Sequence, residues 1–304
     1  MKVLFLGVTS FTGFHFVKQL SENKSLKIHC VLTKKIKKYK CIKKTRLKLI
    51  SKLKNIKILE NIKFGDKNFL NVIRKSNFDI ICFHSAYTEN YNDDSKFNFK
   101  KSIKENLNNI EGVFSLFNQN QKIIITNTVF QNILDKNYEP VNNYGKSKSI
   151  TYEVIKNYCF ANKIKYKSFY ITNPWGKFEE KKLNYYLIEQ WYNGKTPTVN
   201  YPRYIRDNIF IDKLSKSYCK LIFTKSNKIE YFPTGYCSSN KNFIEALRFE
   251  FSKYFNKKAK VKYVFNKKHI QPIKRINGDK VLKKVKIKEN LNDYFNYYEK
   301  QLSN

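Results

Sequence analysis

Tyr144 and Lys148 stand four residues apart in Tyr144-Gly145-Lys146-Ser147-Lys148, a segment whose pattern indicates a helix. Side chains at i and i+4 share one helix face, so the phenol and the ammonium group would lie side by side. A free tyrosine has a pKa of about 10, and a neighbouring cation lowers that pKa because it favours the phenolate. The pair could therefore move a proton to or from a hydroxyl group. In a chain with 22 tyrosines the spacing alone is weak evidence.

The segment Gly7-Val8-Thr9-Ser10-Phe11-Thr12-Gly13 links the first apolar run to a helical pattern. A dinucleotide site needs a tight turn followed by a helix N-terminus directed at the pyrophosphate. Gly7 can supply the turn and Gly13 a close helix–strand contact, while the Ser10 hydroxyl could donate to a phosphate. The alternative is an ordinary tight turn. The residues predicted to bind a cofactor here are Gly7, Ser10, Phe11, Thr12 and Gly13.

The end of the second predicted strand bears on the choice of cofactor. NAD-binding proteins place an acidic residue about 20 residues past the glycine loop, on the ribose hydroxyl. Here Leu32 is followed by Thr33, Lys34 and Lys35. No carboxylate would repel a 2′-phosphate, and two ammonium groups could attract one. The sequence therefore predicts NADP in preference to NAD, with Thr33 and Lys34 in contact. The alternative is that these lysines only reflect the abundance of lysine.

Short apolar runs alternate with helical patterns over the first 175 residues. This alternation predicts an α/β fold with a doubly wound parallel sheet, the Rossmann architecture. The pattern becomes more polar and irregular after about residue 173. We expect a dinucleotide-binding Rossmann domain at 1–172 and mostly a smaller C-terminal substrate-binding lobe at 173–304, with a segment near 197–224 returning to the main sheet. The predicted strands are 2–6, 27–32, 62–64, 78–83 and 122–125.

The motifs and their order along the chain resemble those of the extended short-chain dehydrogenase/reductase family, also called the NAD-dependent epimerase/dehydratase family. The resemblance covers nearly the whole chain, although that family usually has a glycine where Ser10 stands. It implies an enzyme that uses NADP or NAD to act on a nucleotide-activated sugar. Further segments that carry it are Asp79 with His84-Ser85-Ala86, Asn109-Ile110-Glu111-Gly112, Thr126-Asn127-Thr128-Val129-Phe130, Asn173-Pro174-Trp175-Gly176 and Arg206-Asp207-Asn208-Ile209-Phe210-Ile211-Asp212.

The resemblance also implies roles for individual residues. Thr126, four residues before Phe130, would hydrogen-bond the reacting oxygen beside Tyr144 and Lys148, and Lys148 would also hold the nicotinamide ribose. Glu153 loosely matches a glutamate of the same helix. His84 and Ala86 would lie near the cofactor, and Asp66 either contacts adenine or caps a helix. The residues implied to bind the nucleotide sugar are Asn173, Arg206 and Arg275, with both arginines as candidates for the diphosphate.

Departures from the family pattern narrow the reaction. The family's 4,6-dehydratases resemble Thr-Asp-Glu or Thr-Ser-Glu at the strand end, whereas Asn127 and Thr128 follow Thr126 here and cannot supply that acid–base chemistry. The members that combine 3,5-epimerisation with 4-reduction have a cysteine in place of Thr128 and a later histidine, but the next histidine after His84 is the distant His269. Two reactions remain: reduction of a 4-keto nucleotide sugar, which Thr33 and Lys34 favour, and 4-epimerisation with tightly bound NAD.

The formal net charge of +36 suggests a different class, a basic nucleic-acid-binding protein on a Rossmann scaffold. Of the 60 basic side chains, however, only six are arginine, which nucleic-acid readers favour for its planar fork. The lysines accompany many Ile, Asn, Phe and Tyr residues, as an A/T-rich genome would produce. We therefore expect no nucleic-acid partner, and the family resemblance implies a possible homodimer.

The cysteines and the apolar runs exclude further classes. Six cysteines are scattered with no Cys-x-x-Cys pair, so neither a metal site nor a disulfide framework is predicted. No apolar run approaches the roughly 18–20 residues of a membrane span. The first strand is too short for the apolar region of a signal peptide. We expect a cytoplasmic protein without membrane association.

Overall fold

The computed structural model describes residues 1–134, 139–266, 271–278 and 280–303. The chain forms two compact units. The first unit consists of Met1–Ile171 with Ser215–Phe232, and the second of Thr172–Leu214 with Pro233–Asn304. The functional labels that the sequence attaches to residues 1–172 and 173–304 remain predictions.

Thirteen strands and ten α-helices occur in the described ranges. The strands are β1 (Lys2–Leu6), β2 (Lys27–Val31), β3 (Ile56–Leu59), β4 (Ile80–Phe83), β5 (Lys122–Thr128), β6 (Lys165–Ile171), β7 (Asn173–Trp175), β8 (Thr198–Val199), β9 (Ile205–Phe210), β10 (Glu230–Tyr231), β11 (Tyr236–Ser239), β12 (Lys262–Tyr263) and β13 (Lys274–Arg275). The helices are α1 (Phe11–Leu20), α2 (Cys41–Ile50), α3 (Lys67–Arg74), α4 (Phe99–Asn106), α5 (Ile110–Phe114), α6 (Asn143–Ala161), α7 (Leu183–Tyr192), α8 (Ile211–Phe223), α9 (Asn240–Phe255) and α10 (Asn292–Leu302), besides two short 3₁₀ helices, Ile36–Lys38 and Val129–Gln131. None of these helices has both the length and the apolar character that a membrane span requires.

A seven-stranded parallel sheet forms the centre of the first unit, in the order β10-β6-β5-β4-β1-β2-β3. This confirms the predicted doubly wound α/β architecture, because parallel strands joined by helices must be covered on both faces. One strand prediction was wrong: the third strand is Ile56–Leu59, not 62–64. Asn61 adopts a left-handed conformation with φ of 56°, which ends the extended run before Ile62.

The two faces of this sheet bury different side chains, since successive residues of a strand point in opposite directions. On one face, Leu4, Ile81 and Ile123 belong to an apolar cluster with residues of α3, α5 and α6. The alternate residues include Phe5, whose ring contacts Tyr218 of α8. Tyr218 stacks on Phe16 of α1 at 4.0 Å between ring centroids. The helices on both faces of the sheet therefore pack against it through buried aromatic or aliphatic side chains.

The loop between β1 and α1 is closely packed. Gly7 has φ of +93°, and a Cβ there would lie 2.8 Å from the Ser85 nitrogen. A Cβ on Gly13 would lie 2.3 Å from the Gly7 carbonyl oxygen. The turn after β1 and the first turn of α1 therefore have room for glycine alone, as the sequence predicts for these two positions.

The second unit is built around a mixed sheet in which β9 is the central strand. β11 pairs with β9 in antiparallel orientation, whereas β13 and β7 pair with it in parallel orientation. The sequence predicts that a segment near 197–224 returns to the main sheet. In the structure, β9 from this segment belongs to the mixed sheet of the second unit, whereas the residues from Ser215 onward belong to the first unit. The core of the second unit contains Trp175, Trp191 and Tyr294, all buried.

Gly13→Ala should destabilise the protein by about 3 kcal/mol, because its new methyl group meets a backbone oxygen that cannot move without displacing β1. Gly194→Ala is the matched control: its Cβ would meet nothing within 4 Å, so only its left-handed φ of +70° would add strain, about 1 kcal/mol. Urea unfolding of both variants measures the difference. Equal losses would contradict the close packing of α1 on β1.

Candidate active site

The candidate site lies at the carboxyl ends of β1, β4 and β5 in the first unit. β1 and β4 are neighbours, while β2 and β5 lie on their outer sides. The strand order therefore reverses between β1 and β4, and ligands of open α/β sheets bind at such a point. Gly7 follows β1, His84 follows β4, and Thr126 lies near the end of β5.

His84 connects the glycine loop to Thr126. Its Nε2 lies 3.0 Å from the Ser10 hydroxyl and 3.1 Å from the Thr12 hydroxyl. Its Nδ1 lies 3.1 Å from the hydroxyl of Thr126. Burial lowers the pKa of His84 to about 3, and the nearby Lys148 ammonium contributes to the decrease. The imidazole is therefore neutral at neutral pH, so one ring nitrogen donates and the other accepts.

Ser10 is used inside the loop. Its hydroxyl lies 3.0 Å from the Gly7 carbonyl, to which it can donate, and it accepts a hydrogen bond from the Gly13 nitrogen at 3.0 Å. Ser10 is thus the N-cap of α1, and its contact with a phosphate stays a prediction. Among the described residues, the backbone N–H groups of Phe11 and Thr12 have no acceptor. Unpaired N–H groups at a helix N-terminus suit an anion.

Lys148 reaches from α6 to the end of β5. Its Nζ donates a hydrogen bond of 2.7 Å to the carbonyl oxygen of Thr126. The side chain is only 4% exposed, and burial lowers its pKa to about 8. Lys148 therefore holds the peptide of Thr126, while His84 contacts its hydroxyl.

Tyr144 lies among aromatic rings. The centroids of Tyr91, Phe97 and Phe130 are 5.4, 6.1 and 5.7 Å from that of Tyr144. Burial raises the pKa of Tyr144 above its ordinary value, and Tyr91 adds to the rise. The expected lowering by Lys148 was therefore wrong, because this ammonium binds the Thr126 carbonyl instead. In the described ranges no hydrogen bond joins the Tyr144 hydroxyl to Thr126 or Lys148.

The aromatic enclosure of Tyr144 was missed by the sequence reasoning. Tyr91 and Phe97 come from the long connection between β4 and α4, which has no periodic pattern. Asn142, the N-cap of α6, donates to the Tyr91 carbonyl at 2.8 Å and so ties this connection to the start of α6. The one sequence signal was the concentration of aromatic residues between 87 and 99.

The end of β2 is open to solvent. Thr33, Lys34 and Lys35 are all exposed, and the Thr33 hydroxyl lies 3.4 Å from that of Tyr39. Glu60, just after β3, accepts a hydrogen bond of 2.5 Å from the nitrogen of Ile36. A carboxylate is therefore present beside this segment, although it comes from the neighbouring strand and not from β2.

Three other residues singled out by the sequence are Asp66, Ala86 and Glu153. Asp66 caps α3 by accepting from the Phe69 nitrogen at 2.7 Å and also accepts from the Lys63 nitrogen at 3.0 Å, which is the capping alternative. Ala86 is partly exposed in the loop after β4. Glu153 is outside the candidate site: it is exposed and forms an ion pair with Lys156 at 3.2 Å.

In the second unit, parallel pairing of β9 with β13 places Arg206 beside Arg275. The buried Arg206 guanidinium donates to the carbonyls of Ile205 and Ile273 at 2.8 and 2.9 Å. The Gln271 side-chain oxygen accepts from Arg206 at 3.3 Å and from Arg275 at 3.0 Å. Burial and the charge of Arg275 lower the pKa of Arg206 to about 9. The structure thus brings the two predicted arginines together.

Asn173, the third predicted substrate residue, lies on β7 and pairs with β9. Its amide nitrogen donates to the side-chain oxygen of Asn208 at 2.5 Å. The Asn173 side chain therefore fixes β7 to β9 within the second unit.

Comparison with known proteins identifies the fold. No protein-family model matches the chain, and no curated protein matches it. Solved structures do match. UDP-glucuronic acid 4-epimerase from Bacillus cereus, in complex with UDP-glucuronic acid and NAD, is 15% identical with a TM-score of 0.74 over 99% of this chain and 100% of that one. UDP-glucose 4-epimerase from Thermotoga maritima, with UDP-glucose, is 16% identical with a TM-score of 0.72 over 99% and 100%.

A third matching structure is dTDP-glucose 4,6-dehydratase from Streptomyces venezuelae, with NAD bound. It is 14% identical with a TM-score of 0.72 over 100% of this chain and 98% of that one. The fold that the resemblance implies is therefore confirmed, since the chain shares the fold of these solved structures over nearly its whole length.

Lys148→Met should change how stability depends on pH. The pKa of Lys148 is about 8 when folded and 10.5 when unfolded, so the unfolded chain binds more protons between these values. Stability of the wild type should therefore rise relative to the variant by about 3 kcal/mol as pH increases from about 8 to about 10.5. Urea unfolding across this range measures it. Lys146→Met, at an exposed site on the same helix, should show no such trend, and identical pH profiles for both variants would contradict the burial of Lys148.

Proposed function

We propose that this chain is a nicotinamide-dependent enzyme of the epimerase/dehydratase family that acts at C4 of a nucleotide-activated sugar. The observation that carries the proposal is the arrangement around Thr126, whose hydroxyl contacts His84 and whose carbonyl binds Lys148. Tyr144 lies one helical turn before that lysine. The names of the matching structures, UDP-sugar 4-epimerases among them, support the same chemistry.

The residues after β1 fit a dinucleotide. The N–H groups of Phe11 and Thr12 have no acceptor among the described residues, and they open α1 directly after the turn at Gly7. We propose that they bind the pyrophosphate, because backbone N–H groups and the helix dipole both favour an anion. A dinucleotide held there would supply hydride transfer at the sugar carbon. Asp66, already engaged in capping, is not needed for this assignment.

The protein's own groups would handle the proton. We assign to Thr126 a hydrogen bond to the reacting sugar oxygen. We assign to Tyr144 the transfer of a proton to or from that sugar oxygen. Burial keeps the Tyr144 phenol neutral in this arrangement, so the phenol can donate its proton. To act as a base it must become a phenolate, which needs a closer positive charge. We assign that charge to Lys148, which lies one helical turn after Tyr144 and whose cation is held by the Thr126 carbonyl.

Among reactions at C4, we propose 4-epimerisation with NAD first. Loss of water is disfavoured since the Asn127 amide cannot transfer protons and the Thr128 hydroxyl caps the 3₁₀ helix that follows β5. The second candidate is reduction of a 4-keto sugar with NADPH. The exposed Lys34 and Lys35, with no carboxylate at the end of β2 itself, favour it.

In the second unit, we propose that Arg206 and Arg275 bind the diphosphate of the nucleotide sugar. Arg206 is held by main-chain carbonyls and by the Gln271 amide, none of which cancels its charge. A guanidinium fixed in this way is preorganised for a phosphate. Asn173 remains a proposed substrate residue from the family resemblance.

Tyr144→Phe should lower turnover by about a hundredfold or more, because it removes the proton-transferring group, while NAD binding is retained. NMR of a panel of 4-hydroxy and 4-keto UDP- and dTDP-sugars, with NAD or NADPH, measures the products. Interconversion of 4-epimers without net use of cofactor identifies an epimerase, and consumption of NADPH with a 4-keto sugar identifies a reductase. Tyr158→Phe, on the same helix, is the control that should remain active. Full activity of Tyr144→Phe would overturn the assignment.

The double variant Lys34→Ala with Lys35→Ala should weaken NADP binding about tenfold and leave NAD nearly unchanged, since only NADP has a 2′-phosphate for these ammonium groups. Fluorescence titration of the full chain with each cofactor measures the two affinities. Lys37→Ala with Lys38→Ala, in the same basic run, controls for loss of surface charge. Equal losses for NAD and NADP would mean that Lys34 and Lys35 do not select the cofactor.

A further inference from the structure

His84 contacts hydroxyl groups with both ring nitrogens, so its protonation pattern decides where several hydrogens point. Nε2 faces Ser10 and Thr12, and Nδ1 faces Thr126. A neutral imidazole carries one proton, and the nitrogen that holds it determines whether each neighbouring hydroxyl donates or accepts.

The hydrogen bonds of the glycine loop distinguish the two forms. Ser10 accepts from the Gly13 nitrogen and has the Gly7 carbonyl as an acceptor for its own hydrogen. The Thr12 hydroxyl has Nε2 of His84 as its partner among the described side chains. If Nε2 is the acceptor, both hydroxyl hydrogens have a partner: Ser10 donates to the Gly7 carbonyl, and Thr12 donates to Nε2. If Nε2 instead carried the proton, the Thr12 hydrogen would have no acceptor in the described part of the protein.

The same choice fixes the state of Thr126. With the proton on Nδ1, His84 donates to the Thr126 hydroxyl oxygen, and the hydrogen of Thr126 can point at a substrate oxygen or at the buried Tyr218 hydroxyl beside it. With the proton on Nε2, Thr126 would donate its hydrogen to Nδ1 and would have none for the substrate. Only the first form leaves the Thr126 hydrogen available for a substrate oxygen.

We propose that His84 is a positioning residue: its neutral, Nδ1-protonated imidazole holds the Thr126 hydroxyl as a donor and ties it to the glycine loop through Nε2. This rests on the proposed function only for the role of Thr126; the form of the imidazole stands on the hydrogen bonds alone. The partners on the Nε2 side include Ser10, at the position where the family that this chain resembles usually has glycine.

The tautomer can be measured without any substrate. Long-range ¹H–¹⁵N NMR of the full chain, labelled with ¹⁵N-histidine, gives one pattern for each of the four histidines, and His84→Asn identifies the signal. We expect the Nδ1-protonated pattern, unchanged from pH 8 to pH 5, because the pKa of His84 is lowered to about 3. Thr126→Val should shift the signal toward the Nε2-protonated form, since Nδ1 loses its acceptor. An Nε2-protonated wild type, or no response to Thr126→Val, would overturn the proposal.

Kinetic measurements on two variants of His84 then distinguish positioning of Thr126 from a general contribution to the stability of the fold. The amide nitrogen of asparagine can stand in for Nδ1, and that of glutamine for Nε2. We expect His84→Asn to retain most of kcat, whereas His84→Gln lowers kcat about tenfold with KM and NAD affinity nearly unchanged. Equal losses in both variants, or the reverse order, would contradict positioning through Nδ1. If the wild type turns over no sugar in the panel, the proposed function fails, while the tautomer measurement still decides the form of His84.

Discussion

The parallel pairing of β1 with β4 is the constraint on which the candidate site depends. Because β2 and β5 lie on the outer sides of this pair, the connections leave in opposite directions, and the loops after β1 and β4 face each other. The contact is close enough that a methyl group on Gly7 would lie 2.8 Å from the Ser85 nitrogen. This approach brings the His84 ring to the hydroxyls of Ser10 and Thr12, and β5 on the other side of β4 brings Thr126 to the same ring.

Lys148 in the first unit and Arg206 in the second are buried cations that are held in a similar way. Lys148 donates to the Thr126 carbonyl, and Arg206 donates to the carbonyls of Ile205 and Ile273. A carbonyl satisfies the donor without neutralising the charge, so burial lowers both pKa values instead of a carboxylate stabilising the cation. These fixed charges bear on function more directly than the net charge of +36, much of which lies on exposed lysines such as Lys34 and Lys35.

Tyr144 shows how the surroundings of a residue modify its chemistry. The helical spacing correctly put Tyr144 and Lys148 on α6, but the pKa of the phenol depends on the rings of Tyr91, Phe97 and Phe130 and on where the ammonium is bound. Enclosure by aromatic side chains disfavours the phenolate, and the cation that would favour it is engaged by the Thr126 carbonyl. The same pair would behave differently if the lysine were released from that carbonyl, since a closer positive charge lowers a phenol pKa.

The sequence by itself determined the parallel sheet, the turn at Gly7, the close contact at Gly13 and the helix that carries Tyr144 and Lys148. Each follows from a local pattern: continuous apolar runs, glycine spacing or helical periodicity. The tertiary structure alone decided that the third strand is Ile56–Leu59, that Ser10 caps α1, and that Glu60 from β3 stands beside the segment after β2. It also decided that His84 contacts a hydroxyl 42 residues away and that Lys148 binds a carbonyl 22 residues away. Such contacts depend on strand register and on how helices dock, to within a few tenths of an ångström, and the periodicity of a sequence does not contain that information.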